Sequence, residues 1–140
     1  MTMFQAFRTS ASGLTAERLR MDTIANNLAN ANTTRTEAGG PYQRQTVIFT
    51  PMERSNKLNR KAIGHGVKVV GVVADNSPPR LVFDPQHPDA NGDGYVEMPN
   101  VHVVKEMVDL ITATRAYEAN ITAINAAKSM AMKALEIGRG

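Results

Sequence analysis

The sequence predicts an α+β protein in which long N- and C-terminal helices pair as a coiled coil and a small β-rich domain occupies the middle of the chain. Three observations carry this. Apolar residues recur every three to four positions at both ends of the chain. Short β-branched runs lie between them. Loops rich in Gly, Pro, Asn and Asp separate those runs.

At the N-terminus, Phe4, Phe7, Ala11, Leu14, Arg18, Met21, Ala25 and Leu28 alternate at spacings of three and four, and only Arg18 is not apolar. That is the near-heptad stripe of an amphipathic helix, and Ile24 widens it. Thr2 is a candidate cap. A helix over residues 3–30 would be about 40 Å long at 1.5 Å per residue. Gly13 costs about 1 kcal/mol relative to Ala in such a helix, so a bend or a close approach is expected there. Asn26, Asn27, Asn30 and Asn32, then Thr33 and Thr34, end it near Asn30, because Asn side chains compete for backbone hydrogen bonds.

The C-terminal segment repeats the pattern. Val103, Met107, Leu110, Thr114, Tyr117, Ile121, Ile124, Lys128, Ala131 and Leu135 share one face, broadened by Val104, Val108, Ile111 and Met132. Pro99 and Asn100 mark its start; Gly138 and Gly140 mark its end. Residues 45–50, 66–74 and 80–83 are predicted strands, with Asn76-Ser77-Pro78-Pro79 a turn between the last two. Residues 33–41 and 84–94 are predicted loops. The chain thus divides into an N-terminal helix (1–32), a loop and small β-rich domain (33–100) and a C-terminal helix (101–140).

Each helix has a seam too apolar to face water, and isolated helices are marginal in water. Pairing the two ends covers one side of each. The broad C-terminal stripe would still leave apolar surface exposed, which points to a subunit that assembles further. Periodicity alone leaves open the alternative that both helices pack on the β region as an ordinary α+β domain.

Composition narrows the function. A chain of 140 residues supports one modest core. Aromatics are 5% and Trp is absent, less than a well-packed enzyme pocket generally uses. The absence of Cys excludes a disulfide framework, a thiolate nucleophile and Cys-ligated metal. It also suits a chain that crosses from a reducing to an oxidising compartment. No run approaches the roughly 20 apolar residues of a membrane span, so no membrane insertion is expected. The opening Met-Thr-Met-Phe-Gln-Ala-Phe-Arg lacks the basic start and apolar core of a cleaved signal peptide.

The net charge of +3 hides a segregation: residues 35–74 carry seven Lys/Arg against two Glu, and residues 75–109 carry two against seven Asp/Glu. A nucleic-acid binder would not place an equal acidic block beside its basic one. Adjacent blocks of opposite sign fit protein contacts better, such as Arg54, Lys57, Arg60 and Lys61 of one subunit against Asp84, Asp89 and Asp93 of a neighbour. The plainer reading is two ordinary solvated surfaces.

Asp89-Ala90-Asn91-Gly92-Asp93-Gly94-Tyr95-Val96-Glu97 matches the first half of a calcium loop. The second half fails, with Asn100 where a bidentate Glu belongs and Pro99 before it. The plainer reading is a tight acidic turn, with Gly92 and Gly94 supplying positive φ. A calcium-responsive binding module is the alternative function. His65, His87 and His102 have no partner at ligand spacing. No group combines nucleophile, base and orienting residue, so no catalytic, cofactor or metal site is expected.

The stretch Ala25-Asn26-Asn27-Leu28-Ala29-Asn30-Ala31-Asn32-Thr33-Thr34 resembles the N-terminal signature of flagellar rod and hook axial proteins. Arg35-Thr36-Glu37-Ala38-Gly39-Gly40-Pro41-Tyr42 narrows the likeness to one proximal-rod member. Gly94-Tyr95-Val96-Glu97-Met98-Pro99-Asn100-Val101 resembles the stretch before that member's C-terminal helix. Glu106-Met107-Val108-Asp109-Leu110-Ile111 through Arg115-Ala116-Tyr117-Glu118-Ala119-Asn120 resembles the C-terminal axial motif. The motif positions are Asn26, Asn27, Asn30, Tyr95, Pro99, Asn100, Arg115, Tyr117, Glu118 and Asn120.

The resemblance implies a non-enzymatic structural subunit of the bacterial flagellar proximal rod. It would self-assemble through the seam residues Phe4, Phe7, Leu14, Met21, Leu28, Met107, Leu110, Tyr117, Ile121 and Ile124. It would also transmit torque from the motor to the distal rod and hook. Implied partners are copies of itself, the rod proteins FlgB, FlgF, FlgG and FliE, and the flagellar type III export apparatus. The implied location is the periplasmic rod of the basal body, reached without a cleaved signal peptide.

Overall fold

The computed structural model describes residues 3–53 and 64–140. Helix α1 (Met3–Ala29) is followed by strands β1 (Gln45–Glu53), β2 (Gly64–Ala74), β3 (Arg80–Phe83) and β4 (Tyr95–Met98), and then by helix α2 (Val103–Gly138). The two terminal helices pack on each other, and α1 also packs on β1 and β2. The fold is α+β. Thr2 and the basic cluster Arg54, Lys57, Arg60 and Lys61 lie outside the described residues.

The Asn cluster ends α1 as expected. Asn30 N still reaches Asn26 O at 3.1 Å, but Asn30 Nδ2 donates to the same carbonyl at 2.9 Å, and Ala31 N turns back to Leu28 O at 3.3 Å. The side chain thus competes with the helix for its own acceptor. Pro99 and Asn100 lie just before α2, as expected; the helix begins at Val103, and His102 rather than Asn100 occupies the cap position, without a side-chain cap bond. Asn100 instead holds the β region, as described below.

The middle forms two separate two-stranded antiparallel sheets, β1–β2 and β3–β4. Irregularities between Ile48/Phe49 and Pro51/Glu53 interrupt the first ladder. An in-strand Pro has no N–H to donate, which suits such a site. Strand β4 escaped the sequence reading because it is four residues long and follows a Gly-rich turn. Of the two glycines assigned positive φ, Gly94 has it (φ 83°) and Gly92 does not.

Helices α1 and α2 run antiparallel. Gly13 lies against Asn120, Thr114 Oγ1 contacts Met21 Sδ at 3.6 Å, and Asn27 meets Glu106. The buried residues of α2 are Glu106, Ala113 and Ala127; those of α1 are Ala16, Thr23, Ile24 and Asn27. The inner line is therefore mostly small or polar. Of the expected seam, Phe7, Leu14, Met21, Leu28, Leu110, Tyr117 and Ile124 are half-buried. Phe4, Met107 and Ile121 are exposed, Phe4 at 80%.

The contact line is thus offset from the predicted stripe. The cause is that α1 has two partners on different sides. Ser12 faces β2, where its Oγ accepts from Val67 N at 3.1 Å, while Gly13 faces α2. A single apolar stripe cannot report two contact directions. Beyond the helices, Ala31, Val96, Pro99 and Val101 are also buried.

Candidate functional site: a buried polar junction and an exposed apolar helix face

Where the end of α1, the start of β1 and the first turn of α2 meet, the chain buries a polar cluster. Asn27 and Glu106 are both 0% exposed. Asn27 Nδ2 donates to Gln45 O (2.9 Å) and to Glu106 Oε2 (3.1 Å). Its Oδ1 accepts from Gln45 N and from Tyr42 Oη, each at 2.9 Å. One side chain thus fixes two segments remote in sequence, and every polar atom of its amide group has a partner.

The other carboxylate oxygen of Glu106 accepts from Arg44 Nε. Arg44 also donates from Nη1 to Thr46 Oγ1 at 2.7 Å and lies near Asp75 (3.6 Å) and Asp109 (3.9 Å). A buried carboxylate is tolerated only when paired and hydrogen-bonded, and Glu106 satisfies both conditions. Asn100 closes the far side: Oδ1 accepts from Arg44 N (2.8 Å), and Nδ2 donates to Asp75 O (3.0 Å) and Ser77 O (3.1 Å).

The charges act on their neighbours. Burial, and then the Glu106 carboxylate, raise Tyr42 above the ordinary phenol range. Hydrogen bonds from the Ser77 hydroxyl and backbone hold Asp75 below the ordinary carboxylate range, with Arg44 a smaller contributor. The network ties the end of α1, the start of β1 and the first turn of α2 together.

The motif residues divide between structural and surface positions. Asn27, Asn100 and Pro99 build the junction or the core beneath it. Asn26 and Asn30 bond each other at the end of α1. Asn120 packs on Gly13, and its Nδ2 donates to Ala116 O at 3.0 Å. Tyr117 is half-buried, while Arg115 and Glu118 are exposed. Tyr95 makes an edge contact with Phe83, ring centres 5.2 Å apart. The sequence reading missed Arg44 and the burial of Glu106. The available signal was Glu106 in the first turn of a helix one residue from the apolar stripe.

The acidic loop is organised by its own chain. Thr34 Oγ1 donates to Asp89 Oδ2 at 2.7 Å, and Arg35 pairs with Asp89 Oδ1 at 3.0 Å. Asn91 Oδ1 accepts from Asp93 N and Tyr95 N. Asp89 therefore serves an internal ion pair, which removes it from the charge contact expected with a neighbour. Asp84 and Asp93 remain exposed. Among the described residues, no group of three His, Asp or Glu is placed to hold a metal ion.

Outside the junction, α2 presents apolar side chains to solvent. Val104 (76%), Val108 and Ile111 (56% each) lie near its start, and Met130, Leu135 and Ile137 near its end. In the antiparallel register set by Gly13–Asn120 and Asn27–Glu106, the last two turns of α2 run beyond the described start of α1. Among the described residues, no helix is long and apolar enough to cross a membrane.

Helix α1 with its terminating loop, residues 7–35, matches the family described as Flagella basal body rod protein. The segment containing β4 and nearly all of α2, residues 93–137, matches the family described as Flagellar basal body rod FlgEFG protein C-terminal. The class is thus that of structural proteins of the flagellar basal-body rod. The chain is 49% identical to the flagellar basal-body rod protein FlgC of Borreliella burgdorferi over the whole of both chains. It is 49% identical to that of Bacillus subtilis over 99% of this chain and all of the relative, and 40% identical to that of Escherichia coli O157:H7 over the same shares. The chain belongs to the FlgC family of flagellar basal-body rod proteins.

Proposed function

We propose that the chain is a non-enzymatic subunit of the proximal rod, built into a helical polymer through its terminal helices and carrying torque toward the distal rod and hook. The observation behind this reading is the apolar surface of α2: Val104, Val108 and Ile111 at one end, Met130, Leu135 and Ile137 at the other, all uncovered in the single chain. Apolar area of this kind on a soluble chain calls for a protein partner. Copies of the same chain and the rod proteins FlgB, FlgF, FlgG and FliE are the partners. The half-buried and exposed seam residues Phe4, Phe7, Met107 and Ile121 contribute to the same contacts.

In this reading the terminal segments 1–32 and 101–140, which contain α1 and α2, form an inner coiled-coil layer, and residues 33–100 lie outside it. The polar junction holds the outer part rigidly to the inner one, so a load on either is carried by both. The chain travels through the flagellar type III export apparatus to the periplasmic rod.

Val108→Asp with Ile111→Asp tests the reading. Both residues are more than half exposed, so the monomer should keep its helical circular dichroism. Cells carrying only this variant should export it and fail to swim. Normal motility with the variant as sole copy would overturn the proposal.

A further inference from the structure

The helix pair has an unusual inner line for a fold that must settle on one alignment. Small residues (Gly13, Ala16, Ala113, Ala127) share it with polar ones (Thr23, Asn27, Glu106, Asn120), and Ile24 is its one large apolar residue. Small side chains let helices approach closely but discriminate poorly between alignments, because sliding by one heptad sets small against small again. A second observation answers that problem. Fourteen residues separate Gly13 from Asn27 on α1, and fourteen separate Glu106 from Asn120 on α2. The polar contact Asn27–Glu106 and the close packing of Asn120 on Gly13 therefore sit two heptads apart on both helices at once.

We propose that these two contacts are the register key of the helix pair, with Asn27–Glu106 the main one. In the observed alignment, Glu106 is fully buried with both oxygens bonded, and Asn27 is fully buried with all its amide-group partners. A slip of α2 by seven residues in one direction sets Asn27 against Ala113 and carries Glu106 past the end of α1. A slip in the other direction carries Asn27 past the start of α2. It also sets Asn120 against Ala6, where a Cβ stands in place of the space Gly13 leaves. Either slip breaks the Asn27–Glu106 bond at a fully buried position, and an unmet buried polar group opposes it. Buried polar pairs contribute less to stability than apolar pairs of the same volume, and their best-attested role is to exclude alternative alignments.

The prediction is a separation of stability from register. The chain has no Cys, so Ala11→Cys and Thr112→Cys, at exposed positions, give a unique pair of spin labels on α1 and α2. They are offset along the axis and therefore sensitive to sliding. Dipolar spectroscopy on the full-length chain should give one distance. In the Asn27→Leu/Glu106→Leu background, helicity should remain and the distribution should gain a component displaced along the axis by about 10 Å, one heptad at 1.5 Å per residue. Glu106→Gln, which keeps a hydrogen-bonding group opposite Asn27, should retain the single distance.

A single unshifted distance in the double Leu variant would overturn the proposal. Loss of helicity in that variant would overturn it too, since a register key is dispensable for pairing itself. So would a shifted distance in Glu106→Gln, or a wild-type chain without one dominant distance.

Discussion

Asn27 and Gln45 exchange a reciprocal pair of hydrogen bonds, Nδ2 to carbonyl and backbone N–H to Oδ1, both 2.9 Å long. A helix side chain thus stands where a neighbouring strand's peptide group would, and it satisfies the first residue of β1 as a ladder partner does. Only a primary amide of this length supplies donor and acceptor together.

Asn27→Asp tests that requirement. The substitution keeps the acceptor for Gln45 N and Tyr42 Oη but removes the donor to both Gln45 O and Glu106 Oε2, and it turns a second carboxylate toward Glu106. Loss of these hydrogen bonds and the approach of a like charge should together lower the unfolding free energy by about 3 kcal/mol. Urea titration at neutral pH should show a lower midpoint with an unchanged slope.

Arg44→Met should be more damaging than its half-buried position suggests. It leaves Glu106, 0% exposed, bonded to Asn27 alone among the described contacts. Removing one member of a buried ion pair costs about 3–5 kcal/mol. Arg44→Met with Glu106→Met should recover much of that loss, because no stranded charge remains. A double-mutant cycle on unfolding free energies measures the coupling.

Tyr42 makes the junction sensitive to alkali. Its phenol is raised above the ordinary value by burial and by the Glu106 carboxylate. The folded chain therefore holds the proton more tightly than the unfolded chain, and the associated stability is fully present below about pH 10, the ordinary Tyr value. It is lost as pH rises through the folded value. Tyr42→Phe lacks the titrating group, so its unfolding free energy should be lower at neutral pH, for want of the bond to Asn27. Above about pH 10 it should fall less steeply than the wild type.

Gly13 should tolerate a methyl group but no larger side chain. A Cβ there would stand 2.8 Å from Asn120 Nδ2 and 3.1 Å from Asn120 Cγ. Gly13→Ala gains about 1 kcal/mol of helix propensity and displaces an amide whose bond to Ala116 is worth about the same, so its melting temperature should change little. Gly13→Leu overfills the contact and should cost about 1–3 kcal/mol. Asn120→Ala should relieve part of that cost.

Much of the architecture was legible in the sequence. Both helices, the end of α1 at its Asn cluster and three of the four strands among the described residues follow from periodicity, β-branched runs and turn residues. The close approach at Gly13 followed from the cost of Gly in a helix. The contact line within the helix pair did not. Heptad spacing identifies an apolar face, but α1 divides its burial between α2 and the β1–β2 sheet, and the innermost positions went to Ala16, Ala113 and Ala127 rather than to Phe4, Met107 and Ile121. The polar junction was half legible. Asn27 and Asn100 stood in recognisable motifs, whereas their partners Gln45, Tyr42 and Arg44 are set by tertiary geometry that no local spacing encodes. The Asp89 loop is the acidic turn that the sequence favoured, but the contact of Asp89 with Thr34 and Arg35 is tertiary and no local spacing encodes it.

The central claim is that this chain is a necessary structural part of the rod. Electron microscopy of basal bodies purified from cells lacking it tests this most directly. The account predicts a basal-body ring without a completed rod or hook, and restoration of both by the wild-type chain but not by the Val108→Asp/Ile111→Asp variant. A complete rod and hook in cells lacking the chain would contradict it.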